Sequence, residues 1–401
     1  MKPISLILAL LLCFCLCPVA RADGETSTPS PTPEVFTSDD YSYILLEDGT
    51  VEITRYNGKE SELVIPKIIN NIPVTRIGDS AFYRYSNLTS VTIPDSITII
   101  GEAAFYRCSN LTNVTIPDSV VSIGEWAFSD CPSLTSFNVS LNHPVFAIID
   151  DVLFEKANKK LVCYPKGKAG TSYDIPQGTQ SIGASAFCSC QNLTTITIPD
   201  GVNAIGDFAF EKCTGLTTIT IPDSVTSMGS NPFNHCENLN SIIISPDHPT
   251  LAVIEKVLFE KTTKTLIYYP SSKTENSYTI PQGIQHVDIC AFSGCGLLTD
   301  IIIPNSVTSI GYSAFYGCFS LINITIPDNV TAIEKLTFYG CIDLTSITIP
   351  DSVTFIGDNA FSKCPSLTVT VGRDSYAAQY CKDNGIPYTY PDSNSWLNSG
   401  N

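Results

Sequence analysis

Leu111-Thr-Asn-Val-Thr-Ile-Pro-Asp-Ser-Val-Val-Ser-Ile-Gly-Glu-Trp-Ala-Phe-Ser-Asp-Cys131 is the best-formed copy of a unit that recurs along the chain. Its Phe128 stands 23 residues after Phe105, which stands 23 after Phe82. The same step links Phe187, Phe210 and Phe233, and again Phe292, Phe315, Phe338 and Phe361. A fixed period of this length marks stacked repeats. Within the unit, Leu111, Val114 and Ile116 have the spacing of a short strand that buries one side. Pro117-Asp118 is turn chemistry, because proline presets φ and aspartate bonds the backbone ahead of it. Val120 and Ile123 point inward again, and Gly124 permits a tight bend. Ala127-Phe128 opens a short helical turn, with Phe128 the largest core piece. Burial of these apolar side chains, at ~1.5–3 kcal/mol each, gives on the order of 10 kcal/mol. Ordering the residues of one unit costs more than that, so a unit folds only when stacked on its neighbours.

A longer period lies over the first. Val152-Leu-Phe-Glu-Lys156 returns as Val257-Leu-Phe-Glu-Lys261, and Ile175-Pro-Gln-Gly178 as Ile280-Pro-Gln-Gly283, both 105 residues on. That shift is three units of 23 plus one of 36, so the longer unit carries 13 inserted residues. Short apolar runs at 152–156 and 161–164 flank Ala157-Asn158-Lys159-Lys160, and each insertion reads as a β-hairpin projecting from the stack.

Leu-x-x-Ile-x-Ile-Pro…Ile-Gly-x-x-Ala-Phe-x-x-Cys resembles the Treponema-type, or BspA-like, leucine-rich repeats over about residues 63–371. The resemblance implies a repeat solenoid of 23-residue coils with a parallel sheet on its concave face, export to the cell surface, and roles in adhesion or host contact. Together with the unit's own reading, the expected fold is a leucine-rich-repeat solenoid with short helical turns on the convex side and two inserted β-hairpins. Pro232 stands for the usual alanine, Tyr85 for cysteine, Glu334 for glycine and Thr337 for alanine; these substitutions should weaken single coils and leave the architecture intact.

The chain has 401 residues, 43% hydrophobic and 15% charged, with a net charge of −17. That composition permits a large core and excludes a disordered chain, and so acidic a surface repels phosphate backbones, which excludes nucleic acid as a partner. Residues 1–22 read as a signal peptide: Lys2, an apolar run over 4–17, and Ala20-Arg21-Ala22 as the cleavage pattern. The apolar run is too short for a comfortable span, and no later segment is long and apolar enough, so the mature chain is expected to be secreted or held at the cell surface with no visible anchor. The remaining organisation reads as a Thr/Ser/Pro linker (23–37), an N-terminal β cap (38–62), the solenoid (63–371, insertions near 140–172 and 245–277), a C-terminal cap (372–391) and a flexible tail (392–401).

Nine cysteines follow the repeat phenylalanine by three residues, from Cys108 to Cys364, and Cys163, Cys188, Cys290 and Cys381 fall outside this column. Such spacing reads as a ladder of small buried side chains. The mature count of 13 is odd, so at least one thiol is unpaired within the chain. His143, His235, His248 and His286 are the only histidines. They form no nucleophile elbow and no zinc-type spacing with the cysteines, so neither an enzyme nor a cofactor or metal is expected. Asp95, Asp118, Asp200, Asp223, Asp328 and Asp351 all follow the repeat proline; the column reads as turn chemistry, with stacked carboxylates that attract cations as the sharper alternative.

The candidate partner-binding surface is the outward face of the concave sheet, where positions alternate with the core residues. One row carries Thr197, Thr220, Ile243, Ile302, Thr325 and Thr348, and the next Ser241, Asp300 and Asn323. Threonine is also a good strand residue in its own right. The rows are small, polar and nearly uncharged, which suits a long partner: an extracellular protein, or a glycan, although the rows lack aromatic residues for sugar stacking. The projecting hairpins, with Phe154 and Phe259, are a second candidate surface. The expected function is a secreted or surface-exposed binding protein acting in adhesion or host contact, and the alternative is a passive structural or spacer protein that self-associates. The oligomeric state is left open by the sequence.

Overall fold

The structure is a computed structural model and describes residues 33–391. The expected signal peptide, residues 23–32 of the linker and the tail 392–401 lie outside the described residues. Each regular coil contributes one strand to each of two parallel ladders. The first ladder is made of three-residue strands such as Ser90–Thr92, Asn113–Thr115 and Ser136–Asn138. They pair in register 23 residues apart, Ser90 with Asn113 and Asn113 with Ser136. Their central residues Val91, Val114 and Phe137 are buried, as period-two alternation requires. The proline turn follows, closed by Val120 N–H donating to the Pro117 carbonyl at 3.0 Å. Two-residue strands such as Ile99–Ile100 and Ser122–Ile123 then form the second ladder.

Glycine closes the second ladder for a steric reason. A Cβ on Gly124 would stand 2.5 Å from the Glu102 nitrogen of the preceding coil, and one on Gly206 2.5 Å from that of Ala184. Two residues depart from this column. At Asp288 the ladder stays paired on both sides, whereas at Glu334 it opens: among the described residues Ser309–Ile310 ends one sheet, while Ala332–Ile333 pairs with Phe355–Ile356. The substitution disturbs one joint and leaves the stack intact.

The segment read as a helical turn is a pair of successive tight turns. Ala103 and Arg107 both take left-handed backbone, with φ of 52° and 62°, and the pattern recurs at Trp126 and Asp130 and at Phe208 and Lys212. Its hydrogen bonds explain the preference. Ala103, Phe105 and Arg107 donate to Glu125, Ala127 and Ser129 of the next coil at 2.8–3.1 Å, while Ala104, Tyr106 and Cys108 donate within their own turn. A helix would turn every amide along its own axis and leave the next coil without donors; the double turn satisfies both. The only α-helix among the described residues is Tyr376–Asp383.

Phenylalanines stack along the interior. Phe82 and Phe105 have ring centroids 4.9 Å apart, Phe187 and Phe210 5.3 Å, and Phe315 and Phe338 5.3 Å, all nearly parallel. The inserted coils belong to the same column. Tyr164 stacks on Phe187 at 5.3 Å and Tyr269 on Phe292 at 5.1 Å, each taking the phenylalanine position.

The inserted hairpins do not project. Phe146–Ile149, Val152–Glu155 and Lys160–Cys163 form an antiparallel triplet whose last strand joins the second ladder beside Ser181–Ile182. Leu251–Ile254, Val257–Glu260 and Thr265–Tyr268 repeat the arrangement. Val152, Leu153, Phe154 and Leu161 are buried, as are Val257, Leu258, Phe259 and Leu266. Their apolar content leaves no other stable placement, so Phe154 and Phe259 are core residues and not a contact surface. The triplets interrupt the first ladder, which restarts at Ser172–Asp174 and at Ser277–Thr279, and the core divides into three clusters at the same places.

At one end, Phe36–Ser38, Tyr41–Leu45 and Val51–Tyr56 run antiparallel, and the last strand pairs in parallel with Ile72–Ile77 to begin the second ladder. At the other, Ser375 caps the helix by accepting from Ala378 N–H, and Ala377, Ala378 and Cys381 are buried while Tyr376 remains exposed. Tyr388–Thr389 closes the first ladder beside Thr368–Val371.

Candidate binding surfaces

The first ladder presents its outward rows as the alternation requires. Thr197, Thr220, Asn323 and Thr325 are exposed, and Ser241, Asp300 and Thr348 half-buried. Ile243 and Ile302 are 48% and 54% exposed, unusual for isoleucine on a strand. The two are not neighbouring rungs. Thr279 of the inserted coil lies beside Ile302, and the sheet holding Ile243 ends at Ser241–Ile243. Tyr173 and Tyr278 occupy the buried centre of the inserted strands, where other coils carry isoleucine or valine.

Next to the later part of this face lies an apolar group that the alternation alone does not reveal. Leu297 is 55% exposed, Phe319 41%, Ile322 44% and Ile342 50%. They sit on three successive coils in the bend that leads into the first ladder, and the Phe319 ring lies over Gly296. Thr345 N–H donates to the Ile322 carbonyl, so the residue is held by the ladder's own hydrogen bonds. The residue after the column cysteine carries the signal: Ser109, Pro132, Gln191, Thr214 and Glu237 precede Gly296, Phe319 and Ile342 in chain order. Contiguous exposed apolar side chains on a rigid frame mark interaction sites.

The remaining candidates resolve into structure. All thirteen described cysteines are free thiols. Eight of the nine column cysteines donate to the carbonyl of the aromatic residue one coil back, at 3.0–3.7 Å. Burial pushes the Cys108 and Cys318 thiols up to about 12, the opposite of what a nucleophile needs. His143 and His248 are fully buried turn residues: His143 Nδ1 accepts from the Val145 and Phe146 amides, and Nε2 reaches the Pro117 carbonyl at 3.1 Å. Burial lowers the pKa of His235. The six column aspartates are exposed; Asp95 pairs with Lys67 at 2.6 Å, and Asp118 accepts from the Ser140 hydroxyl. No group of His, Cys, Asp and Glu suited to hold a metal occurs among the described residues, and no helix among them is long and apolar enough to cross a membrane.

An ion triad spans the first insertion. Arg107 Nε and Lys166 Nζ both meet the Asp130 carboxylate, at 2.9 and 2.5 Å. Burial works against the charge on Asp130, but the two cations hold its carboxyl below the ordinary value.

The chain matches the BspA type leucine rich repeat region in six copies, over residues 61–167, 162–279 and 271–377. It is similar to a leucine rich cell surface protein from Faecalibacterium prausnitzii, with 32% identity over 89% of this chain and 98% of that one and a TM-score of 0.50. It shares the fold of the pneumococcal vaccine antigen PcpA, with 22% identity over 86% of this chain and 82% of that one and a TM-score of 0.51. No curated protein matches the chain. The 23-residue coils, their two parallel ladders and these matches agree: the chain belongs to the BspA-type leucine-rich-repeat family.

Proposed function

We propose that this protein is exported and binds another extracellular protein, in adhesion or host contact, through the outward face of the first ladder after the second insertion. The observation that carries the reading is the exposed apolar group Ile302, Leu297, Phe319, Ile322 and Ile342 beside the polar rungs Asp300, Asn323, Thr325 and Thr348. An apolar centre with a polar margin is the anatomy of a protein interface, and a backbone fixed by ladder hydrogen bonds loses little freedom on binding. Thr197, Thr220, Ser241 and Ile243 extend the surface toward the first insertion. Residues 1–22 supply the export signal in this reading, and the antiparallel strands near the N-terminus and the helix near the C-terminus shield the ends of the stack. The resemblance to a protein named for the cell surface supports the location.

The test uses a chain from residue 23 onward, cross-linked to host surface extract, with the captured partner purified and its affinity measured. Ile302→Lys combined with Phe319→Ser should lower affinity at least tenfold, and Asn113→Lys on the first block should not. Equal affinity for all three proteins would sink the assignment.

A further inference from the structure

The junction between a regular coil and an inserted coil occurs twice, 105 residues apart, and the two are built differently. In the second, Asn231 is buried, and its Nδ2 donates to the Cys290 carbonyl at 2.5 Å. Asp288 accepts from the Asn231 amide and the Ser230 hydroxyl, so this side chain ties the coil before the insertion to the coil after it. In the first junction the corresponding residues are Trp126 and Gly183. Gly183 carries no side chain to make that tie, and a cleft of about 320 Å³ lies there, lined by Trp126, Lys160, Gly183, Asp207 and Ser227 among others.

Trp126 is fixed from its own side. Its ring meets Tyr106 edge-on at 6.0 Å and reaches across the inserted coil to Phe208 at 5.7 Å. It is half-buried. Gly183, Gly206 and Gly229 also line the cleft; at each, the backbone of the preceding coil fills the space a Cβ would take. Lys160 donates, Asp207 accepts and Ser227 does both. Lys160 is already paired with Glu155 at 3.1 Å, and Asp207 accepts from the Ser230 amide at 2.8 Å, so neither charge is left to select an ion; Glu125, also in the lining, adds a further acceptor, and a neutral ligand rich in hydroxyls and with one apolar face suits the cleft.

We propose that this cleft is a saccharide site that takes a mono- or disaccharide with the C–H face of one ring against Trp126. The volume is at the small end of the ~300–1,000 Å³ typical of ligand pockets, and an aromatic body with a polar handle suits a ring that is apolar on one face and hydroxylated at its rim. The cleft is lined by second-ladder residues and is separate from the protein-binding face proposed above.

Trp126 and Trp396 are the chain's two tryptophans, so Trp396→Phe leaves Trp126 as the only indole. This protein would be titrated by fluorescence with glucose, galactose, mannose, N-acetylglucosamine, N-acetylgalactosamine, lactose, cellobiose and chitobiose. At least one should give a saturable change. Gly183→Asp, which copies the second junction, should weaken that binding at least tenfold, and so should Ser227→Lys, which places a long side chain over the cleft from an exposed position. Both variants are checked for the parent circular dichroism spectrum. No saturable response across the panel, or a response that persists in folded Ser227→Lys, would overturn the assignment. Ile302→Lys with Phe319→Ser should leave the titration unchanged, so this site and the ladder face fail independently.

Discussion

The thiol of Cys213 donates to the backbone carbonyl of Phe187, one coil back, across 3.1 Å. That carbonyl already accepts from the Cys190 amide, so the sulfur takes up its second lone pair. Cysteine suits the column because it is small, packs as a hydrophobe and still carries a weak donor. Native protein should therefore resist a thiol reagent such as Ellman's at pH 8. Cys364 should react first, because it is only half-buried and the neighbouring Cys341 thiol lowers its pKa. All thirteen thiols of a chain begun at Asp23 should react once guanidinium unfolds it. Rapid labelling of Cys213 in the native state would contradict the closed stack.

Gly206→Ala should destabilise the protein by ~1–3 kcal/mol, because the added carbon has no room against the Ala184 nitrogen. Denaturant unfolding reads this directly. The reverse change at the opened joint, Glu334→Gly, should slow amide exchange over residues 331–334 by restoring the pairing with Ser309–Ile310. Unchanged exchange would mean that glycine is not what closes the ladder.

His143→Ala should cost ~2 kcal/mol or more, since it leaves the buried Phe146 amide and the half-buried Val145 amide without their shared acceptor. His248 holds the Leu251 amide and the Pro222 carbonyl in the same manner, and the double variant should lose roughly the sum, as the sites share no contacts. Thermal and denaturant unfolding would report it. A loss well under 1 kcal/mol would remove the histidines from the account of these turns.

Tyr269→Phe should be neutral or mildly stabilising. The ring fills the phenylalanine position, but its buried hydroxyl has no partner among the described residues. Tyr269→Ala should cost ~3–5 kcal/mol by leaving a cavity. A large loss from the phenylalanine variant would show that the hydroxyl is bonded after all.

Asp288 is raised to about 6 by burial, against the pull of its hydrogen bonds and with Asp207 adding repulsion. Its folded value lies above the ordinary 3.8, so between about pH 4 and 6 the folded chain holds the proton that the unfolded chain has released. Stability from this group therefore falls as the pH rises through that window. Asp288→Asn removes the penalty, and its gain over the parent should grow by on the order of 2 kcal/mol between pH 4 and 7. A gain independent of pH would refute this.

The repeat was legible because its largest residues are fixed by packing: Phe105 can be little else when it stacks between Phe82 and Phe128. The inserted coils were harder to place. Tyr164 and Tyr269 stand for phenylalanine, and Tyr173 and Tyr278 for the buried isoleucine, so the period vanished where it in fact continued. The hairpins read as projecting because alternation shows that a strand exists and not what lies against it; Phe154 and Phe259 turned out to be core. Left-handed backbone at Ala103 and Phe208 was invisible because hydrogen bonds to adjacent coils, and not glycine, hold it there. The apolar group at Phe319 appears only when equivalent positions are compared from coil to coil, since it depends on departure from the repeat and not on the repeat itself.

Each inserted coil begins a fresh set of ladders and a fresh core, and the chain from one such coil to the next is a cassette of four coils that recurs after 105 residues. Because the joints are alike in backbone, a gene could gain or lose one cassette while the segments on either side stay as they are. At ~4.8 Å per coil, each step would change the reach of the molecule by about 19 Å. Length is thus the property that this architecture lets evolution adjust in whole increments.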